Sequence, residues 1–458
     1  MLTNALNDPT SLSRLETLGN DLAKAVQTLV TYRSRGGAYS RAVSDEAPAN
    51  LHKTSIGTPD PASEAHQINK SILRYSNQIR NLVQQPADFL QQLATQNQLL
   101  ACLRWLGEFQ VLAFIPLHGS VSTQDVADLA GMPEAHLSRV VQMTVTAGFL
   151  RQPQPGQVAH TALSASFVTN PSLLDAVLFL SEVAAPTALQ MAAATQNYGI
   201  SQRPDETAYN LTFHTPNAFS NAYEQRPRLQ RQWPAYLRFG MGDFEASAIN
   251  ILSQYPWNVL DGATVVEVGS LSTVVATALV ALYPSLRFVV QMSDPTADDM
   301  HHHSTLHLDH GLRANKGITI QQRSPGALQT VVNASVYIIH LPAASPTVTS
   351  VEVPARIVAE LRAHIGILRA NRRSAILLVT SPLGRRDGVS PDVEAAARLR
   401  DLSKWQLANC REIEMTEITE LLSSVRDNLG KLAVTKQFMA PDNAVIALEV
   451  QYQINTER

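Results

Sequence analysis

Four stretches of this chain carry residue types whose spacing can do chemistry. The first is Thr264 to Thr273, read T-V-V-E-V-G-S-L-S-T, with the helical run Val274 to Tyr283 behind it. An apolar strand, a tight turn and a helix start form the first βα unit of a nucleotide-binding sheet. Such a turn holds a cofactor when several glycines let the backbone approach the ligand. Here Gly269 stands alone, followed by Ser270, Leu271 and Thr273. The second stretch is Arg226, Arg228, Arg231, Trp233 and Arg238, four arginines and a tryptophan within thirteen residues. It suits docking of a carboxylate-rich or phosphate-rich partner, or apolar stems laid over a core with solvated heads. The third is the tract His301-His302-His303 to His307, Asp309 and His310. On a helix His303 and His307 fall one turn apart, a spacing that can hold zinc or nickel, yet a solvated face suits the tract better and no metal is expected. The fourth is a scattered set of donors, His340, Tyr337, Trp233 and Arg238, which could orient a substrate in a reaction that needs no strong base. No Ser-His-Asp nucleophile elbow, phosphate loop or glycosidase carboxylate pair stands out.

The totals bound what these residues can serve. At 458 residues the chain is long enough for two or three domains. It is 45% hydrophobic and 16% charged, with a formal charge of −3, so no global basic field argues for nucleic acid or membrane. Cys102 and Cys410 are the only cysteines, which excludes a disulfide scaffold and a cysteine zinc site and fits a reducing compartment. The N-terminal stretch is amphipathic with acidic residues, unlike a secretory signal, and no window reaches about 18 uninterrupted apolar residues.

The elements that position the chemistry follow from periodicity. Leu15, Leu18, Leu22, Val26, Leu29 and Val30 predict an amphipathic helix within 1–33, and the Gly-, Ser-, Ala- and Pro-rich stretch 34–65 reads as a flexible linker. A helical region with a dimerisation surface is predicted over 66–172. Leu93 to Ile115 is apolar on more than one face, as at a dimer seam. Ser122 to Asp125 starts a helix, Gly131 turns, Pro133 opens a second helix, and Phe149 to His160 forms a wing, so a winged helix is predicted. Its second helix presents Glu134, His136, Ser138, Arg139 and Gln142, and the first adds Asp125 and Asp128. One arginine without lysine cannot neutralise a run of phosphates, so no direct DNA binding is expected. A helical connector spans 173–252. From 253 to 458 apolar strands alternate with helices, which predicts an α/β fold, a mainly parallel sheet covered on both faces. The last two strands are joined by Ala440 to Ala444 alone, so they must form an antiparallel hairpin.

Winged helix, helical connector, R-P-R-L-Q-R-Q-W (226–233), V-V-E-V-G (265–269), Y-P-S-L-R-F-V-V-Q (283–291), A-S-V-Y-I-I-H (334–340) and E-M-T-E-I-T-E-L-L (414–422) resemble, in that order, the small-molecule O-methyltransferases of fungi and plants. The resemblance covers roughly Gln91 to the C-terminus. It implies a Rossmann-like methyltransferase sheet that holds S-adenosylmethionine at the first βα turn. Matched residue by residue, the implied site is degenerate. Ser270, Leu271 and Thr273 stand where glycines are expected, and Leu271 occupies the space of the methionine end. Met292 stands where an acid grips the ribose, with Asp294 two residues on. Ser324 replaces an acid near the adenine. The general-base triplet falls on Ala344-Ser345-Pro346, and Glu412, which would support that base, has none to orient. Losing the base alone costs about 10²–10⁴ in rate.

The stretches 93–112, 133–150, 158–167 and 225–238 are closer still to a subgroup, the methyltransferase-like transcriptional coactivators of fungal aromatic-polyketide clusters, of the aflatoxin-cluster type. That resemblance implies a non-catalytic protein without a cofactor. It further implies a nuclear protein, with the cytoplasm also open, that binds a Zn(II)-cluster transcription factor rather than DNA, while the seam over Leu93 to Ile115 points to a homodimer. The alternatives are a pericyclase-type enzyme reusing the pocket through His340, Tyr337, Trp233 and Arg238, and a divergent O-methyltransferase.

Overall fold

The computed structural model describes residues 9–42, 61–242, 244–270, 272–292, 317–341, 352–381, 383, 391–439 and 445–455. The histidine tract, Asp294, Leu271 and Ala344 lie outside the described residues. The chain divides into two compact units, 1–98 and 99–458. The boundary falls inside one helix rather than ahead of the region expected over 66–172.

The first unit is built on a pair of long helices, α1 (Pro9–Ala42) and α2 (Pro61–Val83). Both ends of the linker expected over 34–65 are corrected. The helix continues to Ala42, and α2 opens at Pro61, whose missing N–H and fixed φ suit the first helical position. Residues 43–60 are not described. Leu15, Leu18, Leu22, Leu29 and Tyr32 on α1, and Ile68, Ile72, Tyr75, Ile79 and Leu82 on α2, recur every three or four residues, and the two helices pack on each other. The helix α3 (Pro86–Glu108) carries the chain across the boundary.

The second unit begins with the end of α3 and the short α4 (Val111–Phe114), followed by β1 (Val121–Ser122), α5 (Thr123–Ala130) and α6 (Glu134–Thr146). Ser122 caps α5 by accepting from Gln124 N, and Gly131 ends that helix at φ 68. The strands β2 (Leu150–Arg151) and β3 (Gln157–His160) form a hairpin to which β1 adds antiparallel. Leu106, Val111, Ile115, Val126, Leu137, Val141, Phe149 and Val158 make one core beneath them. The seam expected over Leu93 to Ile115 is therefore divided: its second half is core, and Leu93 is exposed.

A helical connector follows. It comprises α7 (Ala162–Thr169), α8 (Pro171–Phe179), α9 (Ala185–Leu189), α10 (Met191–Tyr198), α11 (Ala208–Phe213), α12 (Phe219–Gln225), α13 (Pro227–Gly240) and α14 (Phe244–Leu252). A single π turn, Leu180–Ala184, joins α8 to α9. Pro186 lacks the N–H that the regular ladder requires, and one widened turn absorbs the loss. Pro171–Leu189 is long and apolar enough to cross a membrane by composition alone. Asp175 and Glu182 within it pair with Arg231 and Arg228 of α13, as in a core helix of a folded unit.

The sheet uses β4 (Thr264–Ser270), β5 (Arg287–Met292), β6 (Ile318–Gln322), β7 (Val336–His340), β8 (Ala375–Thr380), β9 (Gly430–Met439) and β10 (Ile446–Ile454). Its order is β6-β5-β4-β7-β8-β10-β9. Five strands are parallel, and β10 and β9 close the edge antiparallel, as the short connection required. The helices α15 (Val274–Leu282), α16 (Glu352–Ala370), α17 (Pro391–Ala408) and α18 (Met415–Ser424) complete the unit. Strand alternation divides the interior in two. Val266, Val268, Tyr337 and Ile339 face Ile357 and Leu361, while Val265, Val336 and Ile338 face Trp257 and Leu279.

Candidate functional site

At the end of β4 the chain turns at Gly269, which has φ 74. A Cβ there would meet the carbonyl oxygen of His340 at 3.2 Å. The glycine is thus required by the neighbouring strand, independently of any ligand. A register shift between Val268 and Ser270 marks the same spot. Ser270 Oγ donates to the carbonyl of Ser272 at 2.6 Å and accepts from Ser272 N at 3.4 Å. Ser272 Oγ accepts from Val274 N at 3.3 Å. Two serines therefore take up backbone groups of the turn and of the helix start, among them the N–H groups of Ser272 and Val274, the kind of donor that serves an anion.

Glu267 and His340 project from adjacent strands to one face of the sheet. His340 Nε2 and Glu267 Oε1 are 2.8 Å apart, and Glu267 is fully buried. Its other oxygen has no hydrogen-bond partner among the described residues. The rings of Phe244 and His340 meet in a T-shaped pair, centroids 6.4 Å apart. Tyr337, three residues before His340, points to the opposite face and donates its hydroxyl to the carbonyl of Val331 at 2.7 Å. Trp233 lies in a separate aromatic core with Phe179, Phe219 and Tyr236. Arg238 extends over Phe239. The structure does not bring His340, Tyr337, Trp233 and Arg238 into one constellation.

A buried polar chain, unseen in the sequence, occupies the end of β5. Gln291 and Gln329 exchange amide hydrogen bonds at 2.8 and 2.7 Å. Gln329 Nε2 lies 3.1 Å from His364 Nε2, and His364 Nδ1 lies 2.8 Å from the carbonyl of Glu360. That carbonyl can only accept, so Nδ1 carries the proton and Nε2 accepts from Gln329. Burial pushes the His364 pKa below its ordinary value, in keeping with a neutral ring. Glu360 also accepts from Arg323 Nη1 at 2.7 Å and from Gly326 N at 2.7 Å. The loop carrying Ser324 is thereby tied inward to α16, and Ser324 itself is exposed. The glutamines and His364 lie far apart in sequence, and no local pattern announces their meeting.

Glu412 is held by two cations one turn apart on α17. Lys404 Nζ lies 2.9 Å and Arg400 Nε 3.4 Å from its Oε1. Arg400 also donates to Ser381 Oγ at 2.7 Å and to the carbonyl of Met241 at 3.3 Å. The acid expected to support a base is thus matched by two cations.

The turn residues do not fit S-adenosylmethionine. Met292, at the position the resemblance gives to a ribose-gripping acid, offers a thioether and no carboxylate, and the neighbouring Gln291 amide is already bonded to Gln329. The serine hydroxyls are spent within the turn.

The arginine stretch is the amphipathic helix α13. Arg228 pairs with Glu182 at 2.6 Å, and Arg231 with Asp175 at 2.8 Å. Arg226, Arg228, Arg231 and Arg238 are exposed, whereas Trp233 is buried. Among the described residues no group of three or more His, Cys, Asp and Glu side chains is arranged to hold a metal.

Comparison with known proteins places this geometry. Residues 12–84 match the family of the trypacidin cluster transcriptional coactivator tpcD N-terminal domain. The chain is 44% identical to the monodictyphenone cluster transcriptional coactivator mdpA of Emericella nidulans, over 97% of this chain and 98% of that protein. It is 38% identical to the aflatoxin cluster transcriptional coactivator aflS of Aspergillus flavus, over 98% and 99%. Among solved structures it is similar to OxaC (TM-score 0.60, 17% identity, 97% of this chain and 100% of that one). It is also similar to the mitomycin 7-O-methyltransferase MmcR (TM-score 0.56, 17% identity, 80% and 98%). At these identities the structural likeness speaks to the fold alone. Full-length identity above one third to these coactivators shows that the chain belongs to the fungal secondary-metabolite cluster transcriptional coactivators.

Proposed function

We propose that this protein is a non-catalytic coactivator. It assists a cluster-specific transcription factor, of the Zn(II)-cluster type, to express an aromatic-polyketide biosynthetic gene cluster, and it acts in the nucleus. The observation that carries the reading is the internal satisfaction of the former methyl-transfer site, where Ser270, Ser272, Gln291 and Glu412 are bonded to the protein itself. Family membership supports the regulatory role. The sheet is kept as a scaffold.

A homodimer is part of the proposal. The first half of α3 exposes Phe89, Leu90 and Leu93, an apolar surface with one charged neighbour, Asp88. Such a face joins a second copy without bringing like charges together. DNA contact is not part of it, since α6 offers one arginine to a phosphate backbone.

The test is deletion of the gene followed by measurement of transcripts from the neighbouring biosynthetic genes. The coactivator reading expects a collective fall. Normal transcripts with accumulation of one intermediate would replace it with an enzymatic role.

A further inference from the structure

The pair α1 and α2 is an incomplete bundle. Of its side chains whose burial is described, Leu18 alone is buried, and the rest of the seam between the two helices is half-buried. Isolated helices draw little stability from propensity and need tertiary packing of their apolar faces. A second apolar strip lies beside the seam and faces solvent: Leu12 (51% exposed), Val26 (43%) and Val30 (59%) on α1, and Leu73 (64%) and Val83 (39%) on α2. Leu12 and Val26 belong to one seven-residue series, which keeps to one side of a helix. The strip from Leu12 to Val30 is about 27 Å long, at about 1.5 Å per residue. That length fits one further helix of five turns.

Charge decides what kind of helix. The two helices carry eight Lys and Arg against three Asp and Glu, a formal +5 in a chain whose total is −3. Two cationic side chains edge the strip. Arg33 continues the series of Leu12 and Val26, and Arg80 lies seven residues after Leu73 and three before Val83. Arg33 and Arg80 have no carboxylate within ion-pair distance among the described residues. A second copy of the pair would bring +5 against +5. An acidic segment meets both the apolar strip and its basic rim.

We infer that the α1–α2 pair is the docking surface for an acidic amphipathic helix of the partner transcription factor. The inference rests on the coactivator reading and adds the surface and the chemistry of the partner segment. The family match over 12–84 spans the same two helices, so the family is defined in part by this element.

The experiment compares three full-length chains: unaltered, Arg33→Glu/Arg80→Glu, and Leu12→Gln/Val26→Gln/Val30→Gln. Each is tested for capture of the full-length transcription factor encoded in the same gene cluster, with overlapping peptides of that factor used to locate the bound segment. Both variants are expected to weaken capture at least tenfold with unchanged helix content and melting temperature. Binding of the unaltered chain should weaken as salt rises, and the bound peptide should be acidic and amphipathic. Capture within twofold of the unaltered chain by both variants would overturn the docking surface and leave the coactivator reading standing. A basic or neutral bound peptide would overturn it as well. So would an apolar variant that dissociates a dimer, or that melts earlier, while still capturing the factor, since the strip would then cover a second copy or the chain itself. Failure of the unaltered chain to capture the factor would overturn both the surface and the partnership, with transcripts in the deletion strain reporting separately on regulation.

Discussion

Lys404 Nζ stands 2.9 Å from Glu412 Oε1, and both side chains are nearly withdrawn from solvent. Arg400 approaches the same oxygen from α17 and reaches on to Ser381 and Met241. An acid that would orient a catalytic base in the methyltransferase pattern is here the centre of a structural ion cluster.

Removing one partner from such a cluster leaves buried charge uncompensated. Glu412→Leu, which strands the buried Lys404 ammonium, is expected to destabilise the protein by about 3–5 kcal/mol, and the double change with Lys404→Met by clearly less. Denaturant unfolding of the three proteins measures the difference. A double variant as unstable as the single would show that packing, rather than charge, governs the site.

Gly269→Ala places a methyl group 3.2 Å from the carbonyl of His340, at a φ of 74 that non-glycine residues avoid. A cost of about 1–3 kcal/mol is expected from the backbone alone. Thermal unfolding should show a lower midpoint, and an unchanged midpoint would mean that the turn relaxes freely.

His364 gives a dependence on pH. Burial lowers its pKa from the ordinary 6.5, so the unfolded chain takes up its proton at a higher pH than the folded one. The stability it contributes is full above the unfolded value and falls as pH drops through that value toward the folded one. The groups around it are Gln329, Glu360, Arg323 and the edge of Tyr337. Asp427, held down to about 2 chiefly by the Tyr452 hydroxyl, does not titrate in this interval. The melting temperature should fall between about pH 7.5 and about pH 5.5, on either side of the usual histidine value. His364→Leu should flatten that fall. Parallel curves for the two proteins would assign the effect elsewhere.

Calorimetric titration with S-adenosylmethionine is expected to give no heat of binding at micromolar concentrations. A clear micromolar isotherm would show that the chain still binds the cofactor and would overturn the closed-site reading.

The sequence by itself determined the order of layers. Continuous apolar strands between amphipathic helices set a parallel sheet, because only strands covered on both faces read that way. The five-residue connection 440–444 forced the antiparallel end, because a parallel crossover needs a much longer chain. The losses at Ser270, Met292 and Ser324 were visible as departures from a spaced pattern. Tertiary structure alone decided how those losses were repaired. Gln291 meets Gln329 and His364, and Glu412 meets Lys404 and Arg400, through packing of elements that sequence spacing does not relate. It also decided that Trp233 lies in the core while the arginines beside it stay outside, since one helix presents both faces within four residues. The second long helix began inside an expected linker, and the strip left open beside the α1–α2 seam became visible only once both helices were placed. Exposure is a property of what packs against a residue, and a hydrophobic pattern records only that something should.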